Sequence, residues 1–330
     1  MLRVAVLDDY QAAAHAMADW GALPPDVEVE MFHDHLAEEN TLVERLERFD
    51  VVIGMRERTP FPRSLLERLP ALKMLITTGM GNAAFDFDAC TELGIVASGT
   101  SSGGGPGTME LTWGLILALA RHVSSEDRAT RAGQWQTSVG DGLADKTLGV
   151  IGLGNIGSRM AAVGNAFQMP VIAWSQNLTA EKAAECAATL VTKDELLARA
   201  DFVTIHLRLS DRTRGLIGRR ELKMMKPTAY LVNTSRGPIV DEAALVDALE
   251  RKAIAGAGLD VFDQEPLPPD HPLRRLENTV ITPHLGYVTL EGYQGMYGHA
   301  VENIQSYLEG QPARVINPDV LDRPNLRQPS

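Results

Sequence analysis

The stretch Lys146-Thr147-Leu148-Gly149-Val150-Ile151-Gly152-Leu153-Gly154-Asn155-Ile156-Gly157 decides the fold. An apolar run leads into a G-x-G-x-x-G turn. Residues 158–167 follow with helical character, and a second apolar run stands at Val171–Trp174. Three glycines at this spacing also occur by chance, but strand, turn, helix and strand come here in the order a nucleotide-binding βαβ unit requires. Gly152 permits the tight turn, Gly154 lets backbone approach a pyrophosphate, and Gly157 lets the helix pack on the strand. The helix N-terminus then offers N–H groups and a positive dipole end to phosphates. A dinucleotide is the expected cofactor. The residue that reads its ribose is less plain. NAD-selective sites place an acid at the end of the second strand, about 20 residues on. Here that strand ends Ala173-Trp174-Ser175-Gln176-Asn177, without an acid. Ser175 suits a ribose hydroxyl or a 2′-phosphate equally, no arginine adjoins it, and the nearest lysine is Lys182. NAD and NADP both remain open.

Working outward, the alternation continues on both sides. Short Val/Ile/Leu runs at residues 2–7, 27–32, 51–54, 72–77 and 95–97 are separated by helical patterns at 41–48, 63–69 and 86–93. A second block has strand patterns at 147–151, 171–174, 202–206, 229–233, 256–259 and 280–282. Such alternation predicts parallel βαβ units with helices on both faces of a sheet. Between the blocks, Ser98-Gly99-Thr100-Ser101-Ser102-Gly103-Gly104-Gly105-Pro106-Gly107 marks the sharpest shift in composition. It suits an interdomain crossing, either as a plain linker or as a loop whose small residues admit a ligand. A long apolar helix is predicted over 108–122. Near the end, Leu290, Tyr293, Tyr297, Val301, Ile304 and Leu308 step by three or four residues, one face of an amphipathic helix. The tail from 313 carries three prolines and is expected on the surface.

The 330 residues give a prior of about two domains and enough chain for a sizeable core. Lys and Arg number 31 against 43 Asp and Glu, a net charge of −12, which argues against general nucleic-acid binding. A local arginine still permits an anionic substrate. The most apolar stretch, Leu111 to Ala120, is about half a bilayer span. Cys90 and Cys186 lack Cys or His neighbours at metal-ligand spacing, so no metal site is expected and both read as free thiols of a reducing compartment. Met1 to Asp9 reads as a first strand rather than a signal peptide, and the expectation is a cytoplasmic protein.

Three polar residues stand just past successive strand patterns of the second block: Arg236 in Asn233-Thr234-Ser235-Arg236-Gly237, Glu265 in Asp260-Val261-Phe262-Asp263-Gln264-Glu265-Pro266, and His284 in Thr282-Pro283-His284-Leu285-Gly286. In an open parallel sheet, strand ends converge on the ligand crevice. There an arginine holds a carboxylate through two parallel hydrogen bonds. A histidine passes a proton near neutral pH, and a glutamate orients the imidazole and favours its charged form. Singly, each has a bland reading, as a cap partner, a turn acid or a core histidine. Behind a nucleotide turn, together, they make a reaction centre.

With these segments in view, the sequence resembles the D-isomer-specific 2-hydroxyacid dehydrogenases, related to phosphoglycerate dehydrogenase and glyoxylate/hydroxypyruvate reductase. The matching segments are residues 152–157, 231–237, 258–266 and 283–286, and the likeness extends over nearly the whole chain. The resemblance implies that Arg236, Glu265 and His284 are catalytic. It further implies that Gly79, Met80 and Gly81, in Thr78-Gly79-Met80-Gly81-Asn82, offer backbone N–H groups to the substrate carboxylate alongside Arg236. Cofactor contacts carry over to Thr108, Asn155, Ile156, Ser175, His206, Thr213, Thr234, Asp260 and Gly286, beside Gly152, Gly154 and Gly157. It also implies two doubly wound parallel-sheet α/β domains. A Rossmann cofactor domain, residues 102–288, is inserted into a flavodoxin-like substrate domain, residues 1–101 and 289–330, with the active site in the cleft between them. Members are commonly homodimers through the cofactor domains, and the apolar helix suits either that interface or the core. The implied activity is hydride transfer between NAD or NADP and a 2-oxo or 2-hydroxy acid of D configuration. Other readings are a cofactor-sensing dimeric scaffold of the corepressor type, against which the intact triad argues, and a formate- or phosphite-type dehydrogenase, for which the proton shuttle is superfluous. Three features depart from the family pattern: Ser175 for an acid, Arg208 where proline is common, and the glycine-rich run at 103–107. The pocket for the substrate side chain has only candidates: Met55, Arg56, Met80, Tyr287 and Tyr297.

Overall fold

The computed structural model describes residues 1–100 and 106–329. Gly103, Gly104 and Gly105 of the glycine run lie outside the described residues. The chain divides into two compact units, residues 1–103 with 288–330, and residues 104–287.

The first unit is a parallel five-stranded sheet of β1 (Leu2–Val6), β2 (Val27–Met31), β3 (Val51–Gly54), β4 (Met74–Thr77) and β5 (Val96–Gly99), in the order β2-β1-β3-β4-β5. That is the doubly wound order of flavodoxin-like folds. β3, β4 and β5 are buried at every position, because helices cover both faces of a parallel sheet. β2 is an edge strand and carries Glu28 and Glu30, charges that discourage further pairing. Leu42, Leu46, Phe49, Phe61, Leu65, Leu66 and Cys90 pack with Val52 and Leu75 of the sheet. Burial drives the Cys90 thiol up to about 12, which makes it inert.

The helix Leu290–Leu308 belongs to this unit. Tyr293, Tyr297, Val301 and Ile304 are buried as the periodicity predicts, but Leu290, at the first turn, is 56% exposed. The tail runs along the surface as expected, but it is tied down there by hydrogen bonds to β5. Gly99 N–H donates to Arg314 O (3.0 Å), Ile316 N–H to Ala97 O (2.8 Å), and Ala97 N–H to Asn317 Oδ1 (2.8 Å). β5 would otherwise leave a row of unpaired backbone groups at the sheet edge, and the tail satisfies them. Arg327 adds a guanidinium bonded to the carbonyls of Leu69 and Leu72.

The second unit is a parallel seven-stranded sheet: β6 (Leu148–Ile151), β7 (Val171–Trp174), β8 (Thr189–Leu190), β9 (Phe202–Ile205), β10 (Tyr230–Asn233), β11 (Gly256–Leu259) and β12 (Thr279–Ile281). Their order is β12-β11-β10-β9-β6-β7-β8. The chain winds from β6 through β7 to β8 on one side, then crosses to β9 on the other. The β6/β9 boundary is therefore the topological switch point, where open sheets bind ligands. β8 escaped the sequence reading, since two residues carry no period. The helix Pro106–Ala120 buries Trp113, Leu115, Ile116 and Leu119 against Leu148, Val150, Val171, Phe202 and Val232. The buried face of this apolar helix thus belongs to the core of the unit. Among the described residues, no helix is long and apolar enough to cross a membrane.

Candidate active site

The glycine turn sits at the C-terminal end of β6, and its three glycines do separate jobs. Gly152 has φ +98°, and a Cβ there would stand 2.5 Å from His206 O. A Cβ on Gly157 would stand 2.0 Å from Gly152 O, so helix and turn are in backbone contact. Gly154 has nothing within 4 Å of its Cβ position. It is the N-cap of the helix Asn155–Ala166, and no side chain caps that end. This helix starts three residues before the predicted 158. Asn155 and Ile156 thereby open its first turn, where N–H groups have no intrahelical partner. An uncapped helix end behind an open glycine fits a pyrophosphate. His206, just past β9, donates or accepts through Nε2 with Thr204 Oγ1 (2.8 Å), while Nδ1 is buried without a partner. Burial pulls this imidazole down to about 3, so it is neutral. A buried, partnerless ring nitrogen beside the switch point is a second feature that fits a polar ligand.

The threonine hydroxyls among the other predicted cofactor contacts are engaged within the protein. Thr213 Oγ1 donates to Arg208 O (2.8 Å) and accepts from Ser210 N–H (2.8 Å), closing its own turn. Thr108 Oγ1 donates to Gly286 O (2.9 Å), and Thr234 Oγ1 lies 2.8 Å from Thr112 Oγ1. Ser175 O accepts from Leu178 N–H (3.2 Å), which curls the chain after β7. Arg208 is exposed.

Arg236, Glu265 and His284 follow β10, β11 and β12, three adjacent strands of one sheet. His284 Nδ1–H donates to Glu265 Oε2 at 2.6 Å, since an ionised carboxylate only accepts. Nε2 has no hydrogen-bond partner among the described residues. Glu265 is itself fixed by Phe262 N–H, which donates to Oε1 (2.9 Å). A Cβ at Gly237 would stand 2.1 Å from the carbonyl carbon of Phe262, so the arginine loop rests on the start of the glutamate loop. The half-buried Arg236 is steadied by its own chain, Nη1 donating to Ser235 O (2.7 Å).

His284 has φ +55°, a left-handed conformation that costs a non-glycine residue about 1–2 kcal/mol. Asp260 offsets this. Its fully buried carboxylate accepts from Thr282 Oγ1 (2.6 Å), Leu285 N–H (2.7 Å) and Gly286 N–H (2.9 Å), on both sides of the histidine. Burial raises the Asp260 carboxyl, and these three donors pull against that. The ring of Tyr287 stands edge-on to the imidazole, centroids 5.5 Å apart.

In the first unit, Gly79, Met80 and Gly81 follow β4. Gly79 N–H donates to Thr100 Oγ1 (2.9 Å), so of the three predicted N–H donors this one is already taken. Met80 is exposed, and space is open at Gly81. Arg56 is stitched to this turn: its N–H donates to Thr78 Oγ1 (2.8 Å), its Nη1 to Thr78 O (3.1 Å), and Asn82 Nδ2 donates to its carbonyl (2.6 Å). One residue escaped the sequence reading altogether. Thr112 is fully buried inside the apolar helix, and its only signal was a hydroxyl one turn after Thr108.

Comparison with known proteins agrees with this geometry. The family model described as D-isomer specific 2-hydroxyacid dehydrogenase, NAD binding domain, matches residues 113–286. A glyoxylate reductase of Aeropyrum pernix is 41% identical over 275 residues, 80% of this chain and 81% of that protein. The crystal structure of a phosphoglycerate oxidoreductase from Vibrio cholerae superposes with a TM-score of 0.89 at 36% identity, covering 94% of this chain and 100% of that one. That of a D-lactate dehydrogenase from Aquifex aeolicus, complexed with NAD and lactic acid, gives 0.75 at 26% identity, covering 94% and 96%. A nucleotide turn at the switch point of a seven-stranded sheet, with these likenesses, makes the chain a member of the D-isomer-specific 2-hydroxyacid dehydrogenase family, an NAD(P)-dependent oxidoreductase of 2-hydroxy and 2-oxo acids.

Proposed function

We propose that the reaction centre is Arg236, Glu265 and His284, and that the preferred reactant is a small 2-oxo acid of the glyoxylate or hydroxypyruvate kind. The observation that carries the reaction centre is the 2.6 Å pair of His284 and Glu265, at the same C-terminal end of the sheet as the glycine turn, and the likeness to a glyoxylate reductase supports the reactant. Bound nicotinamide supplies or accepts the hydride. The guanidinium of Arg236 holds the substrate carboxylate and polarises the keto oxygen. His284 delivers its Nε2 proton to that oxygen in reduction and takes it back in oxidation, while Glu265 keeps Nδ1 protonated and the ring aimed. From the first unit, Met80 and Gly81 offer N–H groups suited to a carboxylate. Asn155, Ile156 and the turn glycines hold the pyrophosphate, with Ser175 toward the ribose and His206, Thr108, Thr213, Thr234, Asp260 and Gly286 framing the rest.

A spectrophotometric screen of glyoxylate, hydroxypyruvate, pyruvate and bulkier oxo acids, with NADH and NADPH side by side, tests this. Oxidation of a reduced cofactor that depends on one of the small acids is expected. Tight cofactor binding without turnover on any acid favours a sensing scaffold instead.

We also propose a homodimer in a reducing, cytoplasmic compartment. The support for self-association is in the segment after the apolar helix. The helix Val123–Arg131 buries none of its residues, and beyond it Trp135 and Val139 are 79% and 95% exposed. Glu126 ties the segment back on itself, accepting from Thr137 and Ser138. Large apolar side chains presented this way suit a protein interface. Light scattering of the purified chain is expected to give twice the monomer mass. The pair Trp135→Ser with Val139→Ser is expected to give monomer, and a doubled mass retained by that variant would place the contact elsewhere. Both cysteines are free thiols, as a reducing compartment allows.

A further inference from the structure

We propose that Thr112 is a positioning residue, whose hydroxyl locks the arginine loop to the histidine turn. The inference rests on the roles given above to Arg236 and His284. Thr112 Oγ1 donates to Thr108 O at 2.6 Å. Such a return of the proton to the preceding turn is ordinary for a threonine inside a helix. The second bond is not ordinary. Thr234 Oγ1 lies 2.8 Å away, and a hydroxyl has one hydrogen, so Thr234 is the donor and Thr112 the acceptor. The path then continues. Thr108 Oγ1 donates to Gly286 O (2.9 Å), and Gly286 N–H donates to Asp260 Oδ2 (2.9 Å).

One end of this chain is two residues before Arg236, and the other is two residues after His284. Every side chain in it is buried, so water cannot replace a lost partner. Past the strand ends, these loops otherwise meet by way of the glutamate loop, through the Gly237–Phe262 contact, the His284–Glu265 pair and the Asp260 bonds. The two threonines of the helix span them, and fix the anion-holding and proton-carrying groups relative to one another.

Two variants separate shape from hydroxyl. Thr112→Val keeps the branched outline and removes the oxygen, which orphans the Thr234 hydroxyl. Thr112→Ser keeps the oxygen and removes the methyl. At temperatures well below unfolding, Thr112→Val is expected to lower kcat roughly 10- to 100-fold, as for a misplacement of about an ångström. Cofactor affinity, read by nicotinamide fluorescence, is expected to move little, and Thr112→Ser to retain most of the turnover. The double variant Thr112→Val with Thr234→Val is expected to lose no more than Thr234→Val alone, because the two hydroxyls share one bond. A folded Thr112→Val at wild-type kcat, a Thr112→Ser as impaired as the valine, or losses that add would each overturn the inference. His284→Ala is run beside them. Full turnover in that variant would overturn the reading of the site itself, whereas a dead His284→Ala with an intact Thr112→Val would overturn only the role of Thr112.

Discussion

His284→Ala is expected to lower kcat by roughly 10²–10⁴, the range general acid–base catalysis supplies, with cofactor affinity close to wild type. The size follows from the geometry. The imidazole is held at one nitrogen by Glu265 at 2.6 Å, so its other nitrogen is presented in one tautomer and one direction. Its backbone is strained into the left-handed region and restrained there by three hydrogen bonds to Asp260. Alanine removes the proton carrier but keeps Leu285 and Gly286 on Asp260, and the glycine turn is at another strand end. Steady-state turnover of an active oxo acid and fluorescence titration of the cofactor check both halves. Undiminished turnover would show that the proton comes from another source.

Arg236→Ala is expected to lower kcat/KM by roughly 10²–10³. Two charge-assisted hydrogen bonds at about 1.5–3 kcal/mol each, not wholly additive, give that size. The loss is expected in KM as well as kcat, because the guanidinium is assigned to the substrate carboxylate in the ground state and to the keto oxygen as charge develops. Arg236→Lys is expected to fall between wild type and alanine, since an ammonium keeps the charge without the planar fork. Gly237 adds a structural check. Its backbone contact with Phe262 sets the loop, so Arg236→Ala is expected to melt near the wild-type temperature while its kinetics change. A lysine variant equal to wild type would argue that only a point charge is needed there.

The proposed dimer contact and the proposed Thr112 link differ in kind from these. Both act through what side chains touch rather than through chemistry of their own, so the residues assigned to them were not visible along the chain. Trp135 and Val139 sit in an unremarkable polar stretch, and only their exposure in the folded unit gives them meaning. Thr112 sits in a run otherwise apolar enough to pass for simple core.

The sequence by itself determined the parts that obey local rules. Runs of Val, Ile and Leu broken by helical patterns specified parallel sheets, and β6 with its glycines and following helix specified the nucleotide turn, because period and backbone freedom are properties of a short window. The grouping of Arg236, Glu265 and His284 past the ends of β10, β11 and β12, on which the proposed reaction centre rests, was readable too, since each stands three to six residues beyond a strand and strand ends converge. The two-residue β8 and the tail's pairing with β5 were not, for the tail satisfies an edge far from it in sequence. Tertiary structure alone decided that the hydroxyls of Thr108, Thr213 and Thr234 bond within the protein, that Asp260 braces the histidine turn, and that Gly79 has no N–H to spare. The physical reason is the same throughout: a buried polar atom must find a partner, and which one it finds depends on what packing brings near, not on its place in the chain.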